Sequence, residues 1–258
     1  MTNFKKILIR SAKLAGQFQL KHFGKLKRKD IRYKEHGEYV TYVDKFCGKL
    51  IINHLKKYFP HHNFVSEELP DQINHSDYTW YIDPLDGTTN YSIHNPLFAV
   101  SIAVAYKNET IEGVFFLPYL NEIFYVKKGK GAYLNHKRIH VSKQNKIHKS
   151  ILAMGFAHRL DATRKALSIF KKVRPYAANI RIFGSGSYSL CSVASGCVEA
   201  LIMPGSLKLW DINPGKLLVK EAGGQVTDFK GHQDYQNKNL ILSNGKIHQQ
   251  ILKILKNV

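Results

Sequence analysis

The stretch Trp80-Tyr81-Ile82-Asp83-Pro84-Leu85-Asp86-Gly87-Thr88-Thr89-Asn90-Tyr91 sets two acids three positions apart at the end of an apolar, aromatic run. Residues 78–82 read as a buried strand. Such a strand normally closes on a neutral turn, because neighbouring carboxylates repel and each is costly to desolvate. A positive charge between Asp83 and Asp86 resolves that conflict. Pro84 fixes the turn, so that both carboxylates and the Leu85 carbonyl can face one pocket, and Gly87 lets the backbone come close to a ligand. Thr88-Thr89-Asn90 then begins a short helix whose first amides face the same pocket and suit an anion. A cation beside an anion cradle is the arrangement that phosphoryl transfer uses. The alternative is a surface Asp-Pro and Asp-Gly turn with a capping threonine, and the apolar strand before the octet argues against it.

Working outward, Phe4, Ile7, Leu8, Ala12, Ala15 and Phe18 recur at helical spacing, which predicts an amphipathic helix ending near Gly24. A second helix is expected over 41–59, closed by Pro60 and carrying Asp44 near its start. Phe64-Val65 reads as a short strand running into Ser66-Glu67-Glu68, so two strand ends deliver acids. Over 97–141 apolar, β-branched and aromatic runs alternate with turn signals, which predicts an antiparallel meander. Further on, strands over 151–154, 179–183, 198–203 and 239–242 alternate with helices over 161–173, 186–194, 210–222 and 246–256, the mark of an α/β layer. The pattern changes near residue 145. The fold class expected is therefore α/β: an α+β half with an antiparallel sheet and most of the acids (1–145), packed tightly on an α/β half carrying Asp211 (146–258).

With 258 residues, 44% hydrophobic and 22% charged, the chain can bury a large core, and no low-complexity tract marks a linker. Lysines and arginines interrupt residues 1–24, so no signal-peptide core is expected there, and no run approaches a membrane span. Cys47, Cys191 and Cys197 are odd in number and lack C-x-x-C spacing, which suits the reduced thiols of a cytoplasmic protein. A net charge of +20 attracts phosphates, whether on a small substrate, on nucleic acid or on a membrane surface. The lysines are scattered rather than massed, and neither a helix-turn-helix pattern nor an RNA-binding aromatic signature accompanies them. A dinucleotide-binding oxidoreductase is excluded, because Gly184-Ser185-Gly186 lacks the third glycine of the G-x-G-x-x-G turn.

The carboxylates in question are Glu67, Asp83, Asp86 and the distant Asp211. Hard oxygen ligands at strand ends suit Mg²⁺ or Mn²⁺, and the lack of Cys/His ligand spacing argues against zinc. His61 and His62 read as surface loop.

These residues resemble the inositol monophosphatase family of Mg²⁺-dependent, Li⁺-sensitive phosphatases. Asp83-Pro84-Leu85-Asp86-Gly87-Thr88-Thr89-Asn90 is similar to its first signature, and Glu67-Glu68 to its upstream acid pair. Trp210-Asp211 with Glu221-Ala222-Gly223-Gly224 resembles its second signature, and Val40-Thr41-Tyr42-Val43-Asp44 the segment bearing a further buried acid. The resemblance implies a layered αβαβα sandwich, a homodimer and a small phosphorylated substrate. It also implies two or three Mg²⁺ ions. Glu67, Asp83 and the Leu85 carbonyl would hold one, and Asp83, Asp86 and Asp211 a second. A third would bind weakly near Glu67. Thr88, hydrogen-bonded to Asp44, would orient the attacking water at a catalytic centre that includes Glu67, while the Gly87 and Thr88 amides hold the phosphate. For Asp44 an ordinary place at a helix start, where an acid favours the dipole, stays open.

Gly184, Ser185 and Gly186 resemble the segment lining the hydroxyl side of the family's pocket, and a plain helix-start turn is the alternative. Where inositol-hydrolysing members carry a glutamate, this chain has Met203-Pro204-Gly205. That loss weakens the case for inositol phosphate. Lys208 is either a contact for a second phosphate or a solvated lysine. The substrate therefore stays open among inositol phosphate, fructose bisphosphate, a nucleotide 3′,5′-bisphosphate and NADP, and a non-enzymatic RNA- or transcription-associated role is the alternative from another class.

Overall fold

In this computed structural model, residues 4–34, 38–156, 160–205, 208–233 and 239–256 are described. Helix α1 (Phe4–His22) is followed by a hairpin of β1 (Ile31–Tyr33) and β2 (Tyr39–Thr41), then by helix α2 (Tyr42–Lys56). Thr41 caps α2 by accepting from the Val43 amide, and Asp44 returns a bond to the Thr41 amide. This is the reciprocal arrangement that fixes a helix start. The helix stops at Lys56, short of the expected 59. The amides of Tyr58 and Phe59 both turn back to the Leu55 carbonyl, and the Phe59 ring goes inward to stack on Phe4 at 5.2 Å. The bond from Phe59 is the last of the helical i→i−4 kind, and Pro60 has no amide hydrogen to offer the Lys56 carbonyl.

Next come β3 (Asn63–Ser66), β4 (Tyr78–Asp86), the short helix α3 (Thr88–Ser92) and the run β5 (Ala99–Tyr106), β6 (Glu109–Leu117), β7 (Glu122–Lys127), β8 (Gly131–Leu134) and β9 (Lys137–Ile139). They form a seven-stranded sheet in sequence order, with β3 parallel to β4 and every later pair antiparallel. The expected meander is present. Strand β4 runs on past Ile82 through both acids, a correction to the strand end expected at 82. Asp83 pairs with Ser101 and Asp86 with Ala99, so one extra residue bulges between them. A proline cannot donate to a ladder and is tolerated at such a bulge.

The second sheet has order β11-β10-β12-β14-β13, from β10 (Ile151–Met154), β11 (Asn179–Arg181), β12 (Ala200–Pro204), β13 (Gln225–Asp228) and β14 (Asn239–Ser243). Between them lie helices α4 (Leu160–Val173), α5 (Gly186–Ala194) and α6 (Leu209–Glu221), and α7 (His248–Leu255) follows. The first three strands are parallel and β14 is antiparallel to both its neighbours, so this layer is a mixed sheet.

Alternation along the strands decides the layering. Trp80, Ile82, Val100 and Val114 face α1 and α2. Phe115, Leu117 and Val126 face the opposite way, onto a core built from α5, α6 and the inner face of the second sheet. Leu152, Ile202 and Ile241 on the outer face of that sheet pack on α4 and α7. The order is thus α, β, α, β, α, as expected, and the middle layer of α5 and α6 touches both sheets. The three cysteines are unpaired. Among the described residues no helix is long and apolar enough to cross a membrane.

Candidate metal centre

Three elements from distant parts of the chain converge at the end of β4. The parallel pairing of β3 with β4 continues one step, with the Glu67 amide donating to the Ile82 carbonyl at 3.1 Å, and this brings Glu67 alongside Asp83. From the middle layer, α6 presents Asp211 in its first turn, where the carboxylate accepts from the Lys208 amide at 3.1 Å. Ligand oxygens of Glu67, Asp83 and Asp211 lie within 4.8 Å of one another.

Burial and neighbouring carboxylates raise the proton affinity of all three acids. Burial is the main cause for each. It pushes Glu67 up to about 8, against the pull of Lys34 and with the added repulsion of Asp211 and Glu68. Asp211 is pushed up to about 7, first by burial and then by the charge of Asp86. Asp83, 2% exposed, is raised well above the ordinary carboxylate range by burial and by the charges of Glu67, Asp86 and Asp211. A cluster of this kind is destabilised whenever it is ionised without a counter-charge.

Asp86 has a different setting. It stands at the N-terminus of α5, where the Ser185 hydroxyl donates to its Oδ2, the Gly186 amide to Oδ1 at 3.1 Å and the Ser187 amide to Oδ2 at 3.0 Å. Burial raises its proton affinity, and these bonds oppose the rise. Gly184, Ser185 and Gly186 are thus a helix start whose donors from Ser185 and Gly186 converge on an acid of the opening stretch. The side chain nearest Gly186 after Asp86 is Met203, whose methyl would lie 4.0 Å from a Cβ placed at Gly186. An apolar thioether occupies that flank.

The turn is braced from both sides. The Leu85 amide donates to Asp83 Oδ1 at 3.0 Å, and Gln19 of α1 donates to the Pro84 carbonyl at 2.7 Å. Gly87 adopts φ 83°, and a Cβ there would sit 2.9 Å from the Leu97 carbonyl oxygen. Only glycine meets both conditions cheaply. The Thr88 hydroxyl lies 2.7 Å from Asp44 Oδ1 and 3.0 Å from the Leu85 carbonyl. Its single proton serves one of them at a time. Asp44 Oδ2 accepts from the Thr41 amide at 2.8 Å and from its hydroxyl at 2.6 Å. Burial nonetheless raises Asp44 to about 6. Asp44 therefore does both things left open for it, capping α2 and facing Thr88.

Lys208 donates its amide to Asp211, while its ammonium lies over the Trp210 ring, 5.9 Å from the centroid. Lys34, which sequence reading missed, pairs with Glu67 at 3.2 Å and with Glu68. Burial works against its charge, but those two carboxylates outweigh it and hold the ammonium above the usual lysine range. Lys34 follows β1 of a hairpin with three-residue strands, too short to leave a periodic signal. Asn90 was also missed: it donates to the Leu97 and Phe183 carbonyls, each at 2.7 Å.

Comparison with known proteins yields a consistent set. The family model described as "Inositol monophosphatase family" matches residues 1–258. A fructose-1,6-bisphosphatase/inositol-1-monophosphatase of Aquifex aeolicus is 37% identical, over 99% of this chain and 97% of its own length. The Nus factor SuhB of Haemophilus influenzae is 36% identical, over 97% and 94%. Among solved structures, extragenic suppressor protein suhB from Bartonella henselae superposes with a TM-score of 0.94 at 31% identity, over 99% of each chain.

Proposed function

Because the chain belongs to the inositol monophosphatase family, we propose that it is a Mg²⁺-dependent phosphomonoesterase acting on a small phosphate ester. The observation that carries this reading is the meeting of Glu67, Asp83 and Asp211 within 4.8 Å, each with its proton affinity raised by burial and like charge. Such a donor set fits a hard divalent cation: all oxygen, mutually repelling and stabilised by added positive charge. Glu67, Asp83 and the Leu85 carbonyl would hold one ion, and Asp83, Asp86 and Asp211 a second, with a third weakly held beside Glu67. When bound, the ions supply charge for the phosphate oxygens, an acidified water and stabilisation of the departing alkoxide.

The remaining work falls to the chain itself. By donating to Asp44, the Thr88 hydroxyl keeps its own lone pairs turned outward, where they accept a hydrogen bond from the attacking water and orient it. Glu67 takes part in holding that water for in-line attack. The amides of Gly87 and Thr88, at the start of α3, hold phosphate oxygens. The Met203 side chain offers a sugar-ring hydroxyl only a weak thioether acceptor in place of a carboxylate. That favours substrates recognised by further anionic groups over inositol monophosphate.

The test is phosphate release from inositol 1-phosphate, fructose 1,6-bisphosphate, adenosine 3′,5′-bisphosphate and NADP, with and without Mg²⁺ and with millimolar Li⁺. Mg²⁺-dependent, Li⁺-sensitive release is expected, with inositol 1-phosphate not the strongly preferred ester. No release from any of the four would overturn the proposal.

A second reading rests on the relatives named Nus factor SuhB together with the net charge of +20: a protein that binds nucleic acid or transcription proteins. It predicts salt-sensitive RNA binding that survives Asp83→Asn.

A further inference from the structure

Asn90 closes the opening octet, yet the reading above gives its side chain nothing to do. It is 6% exposed and fully engaged. Its amide nitrogen donates to the Leu97 carbonyl and the Phe183 carbonyl, both at 2.7 Å, and its Oδ1 accepts from the Asn95 side chain at 3.3 Å. Both amide hydrogens are thus committed to backbone carbonyls from segments 7 and 93 residues away.

The second of those segments matters for the acids. Phe183 is followed by Gly184, held at φ 71°, where a Cβ would lie 2.8 Å from Asn90 Oδ1. The turn therefore rests directly against the amide. The next three residues are Ser185, Gly186 and Ser187, the donors to the Asp86 carboxylate. Asp86 and Asn90 lie four positions apart on one short segment. The acid and the group that places its clamp are thus carried together.

We propose that Asn90 is a positioning residue for Asp86. By pinning the Phe183 carbonyl it sets where α5 begins, and through the three donors it sets the direction in which the Asp86 carboxylate faces the Asp83 and Asp211 side. This rests on the reading of the acids as a cation site. Two buried hydrogen bonds that only tied the halves together would affect stability alone. A positioning role acts on one of the cation sites and spares the other.

The experiment measures Mn²⁺ binding by electron paramagnetic resonance and Mg²⁺ activation of phosphate release, in wild type, Asn90→Ala, Gly184→Ala and Asn244→Ala. Asn244 is the control. It is 2% exposed, donates to the Gln144 carbonyl at 2.8 Å and caps the 246–247 amides, away from the acids. Losing metal-orienting partners of this kind costs about 10-fold or more in affinity. Asn90→Ala and Gly184→Ala should each weaken one Mn²⁺ site and raise the Mg²⁺ activation constant by about that factor. The other Mn²⁺ site should change little in both, and KM for the ester, read in Asn90→Ala, should change little. Asn244→Ala should lower the melting temperature without moving either site. If Asn90→Ala does not fold, Gly184→Ala reads the same displacement from the other side of the contact. Unchanged Mn²⁺ affinities in the folded variants, or equal losses in Asn244→Ala, overturn the inference. Wild-type protein that binds no Mn²⁺ overturns the reading of the site itself.

Discussion

Two regions of the molecule bury ionisable groups, and they solve the problem in opposite ways. In the C-terminal sheet His248 is fully buried between Thr227 and Ser243, with ring nitrogens 2.8 and 2.7 Å from their hydroxyls. Thr227 gives its proton to the Asp228 carbonyl, so it accepts from His248 Nε2, and Ser243 donates to Nδ1. The ring is neutral and every atom is matched. Burial lowers its pKa to about 4. At the end of β4, Glu67, Asp83 and Asp211 also leave water, but besides burial it is other carboxylates that raise their proton affinity: Asp211 and Glu68 for Glu67, Glu67, Asp86 and Asp211 for Asp83, and Asp86 for Asp211. The buried His248 has found neutral partners. The proposed reading of the acids as a cation site accounts for a cluster whose proton affinities stay raised despite Lys34 beside Glu67.

The sharpest way to break this contrast is to neutralise the shared acid. Asp83→Asn should cut Mg²⁺-dependent phosphate release by about 10²–10³-fold, a loss typical of removing a central electrostatic group. The metal-free variant should melt no lower than wild type, because one source of repulsion is gone. A metal-free melting temperature well below wild type, or near-normal turnover, would contradict the comparison.

The two regions also predict opposite pH responses, measured as melting temperature. Glu67 at about 8 and Asp211 at about 7 lie above their unfolded values of 4.5 and 3.8. The native state thus holds protons that the unfolded chain has released, and stability falls as pH rises from about 4 to 8. Metal-free protein should lose about 5 °C or more between pH 6 and 8.5, and Mg²⁺ should restore it. His248 runs the other way. With 6.5 unfolded and about 4 folded, its contribution is complete above pH 6.5 and is lost as pH falls toward 4.

Smaller still is the effect of removing that histidine. His248→Ala takes the acceptor of the buried Ser243 hydroxyl and one donor to Thr227, which keeps its bond to the Asp228 carbonyl, and should cost about 1–3 kcal/mol, read by urea unfolding, with kcat/KM unchanged. A fall in kcat/KM beyond the loss of folded protein would put the node in contact with the site. Smallest is Lys208→Ala. Release from a monophosphate should change less than about twofold, and release from a bisphosphate by up to about tenfold if the ammonium leaves Trp210 for a second phosphate. Equal effects on both esters would make Lys208 a surface lysine.

Much of this was legible in the chain. The helices over 4–22 and 160–173 announce themselves because their apolar faces repeat every turn, and the acids at 67, 83 and 86 because carboxylates at the ends of apolar strands need a reason, whereas Asp211, in the first turn of a helix, stood out through the family resemblance. Local pattern missed the β1–β2 hairpin, whose strands are three residues long and partly exposed. It also ran α2 on to Phe59, whereas the regular helix stops at Lys56.

The sequence alone determined which side chains are candidates for the chemistry: oxygen donors, small turn residues and a hydroxyl near an acid are properties of residue type and short spacing. Only the tertiary structure decided how they meet. Asp211 reaches Asp83 because α6 packs between two sheets, Lys34 reaches Glu67 across 33 residues, and Asn90 holds a carbonyl 93 residues away. Such contacts leave no periodic trace in the chain, because they are set by the packing of whole layers, and the free energy of that packing is shared among residues far apart in sequence.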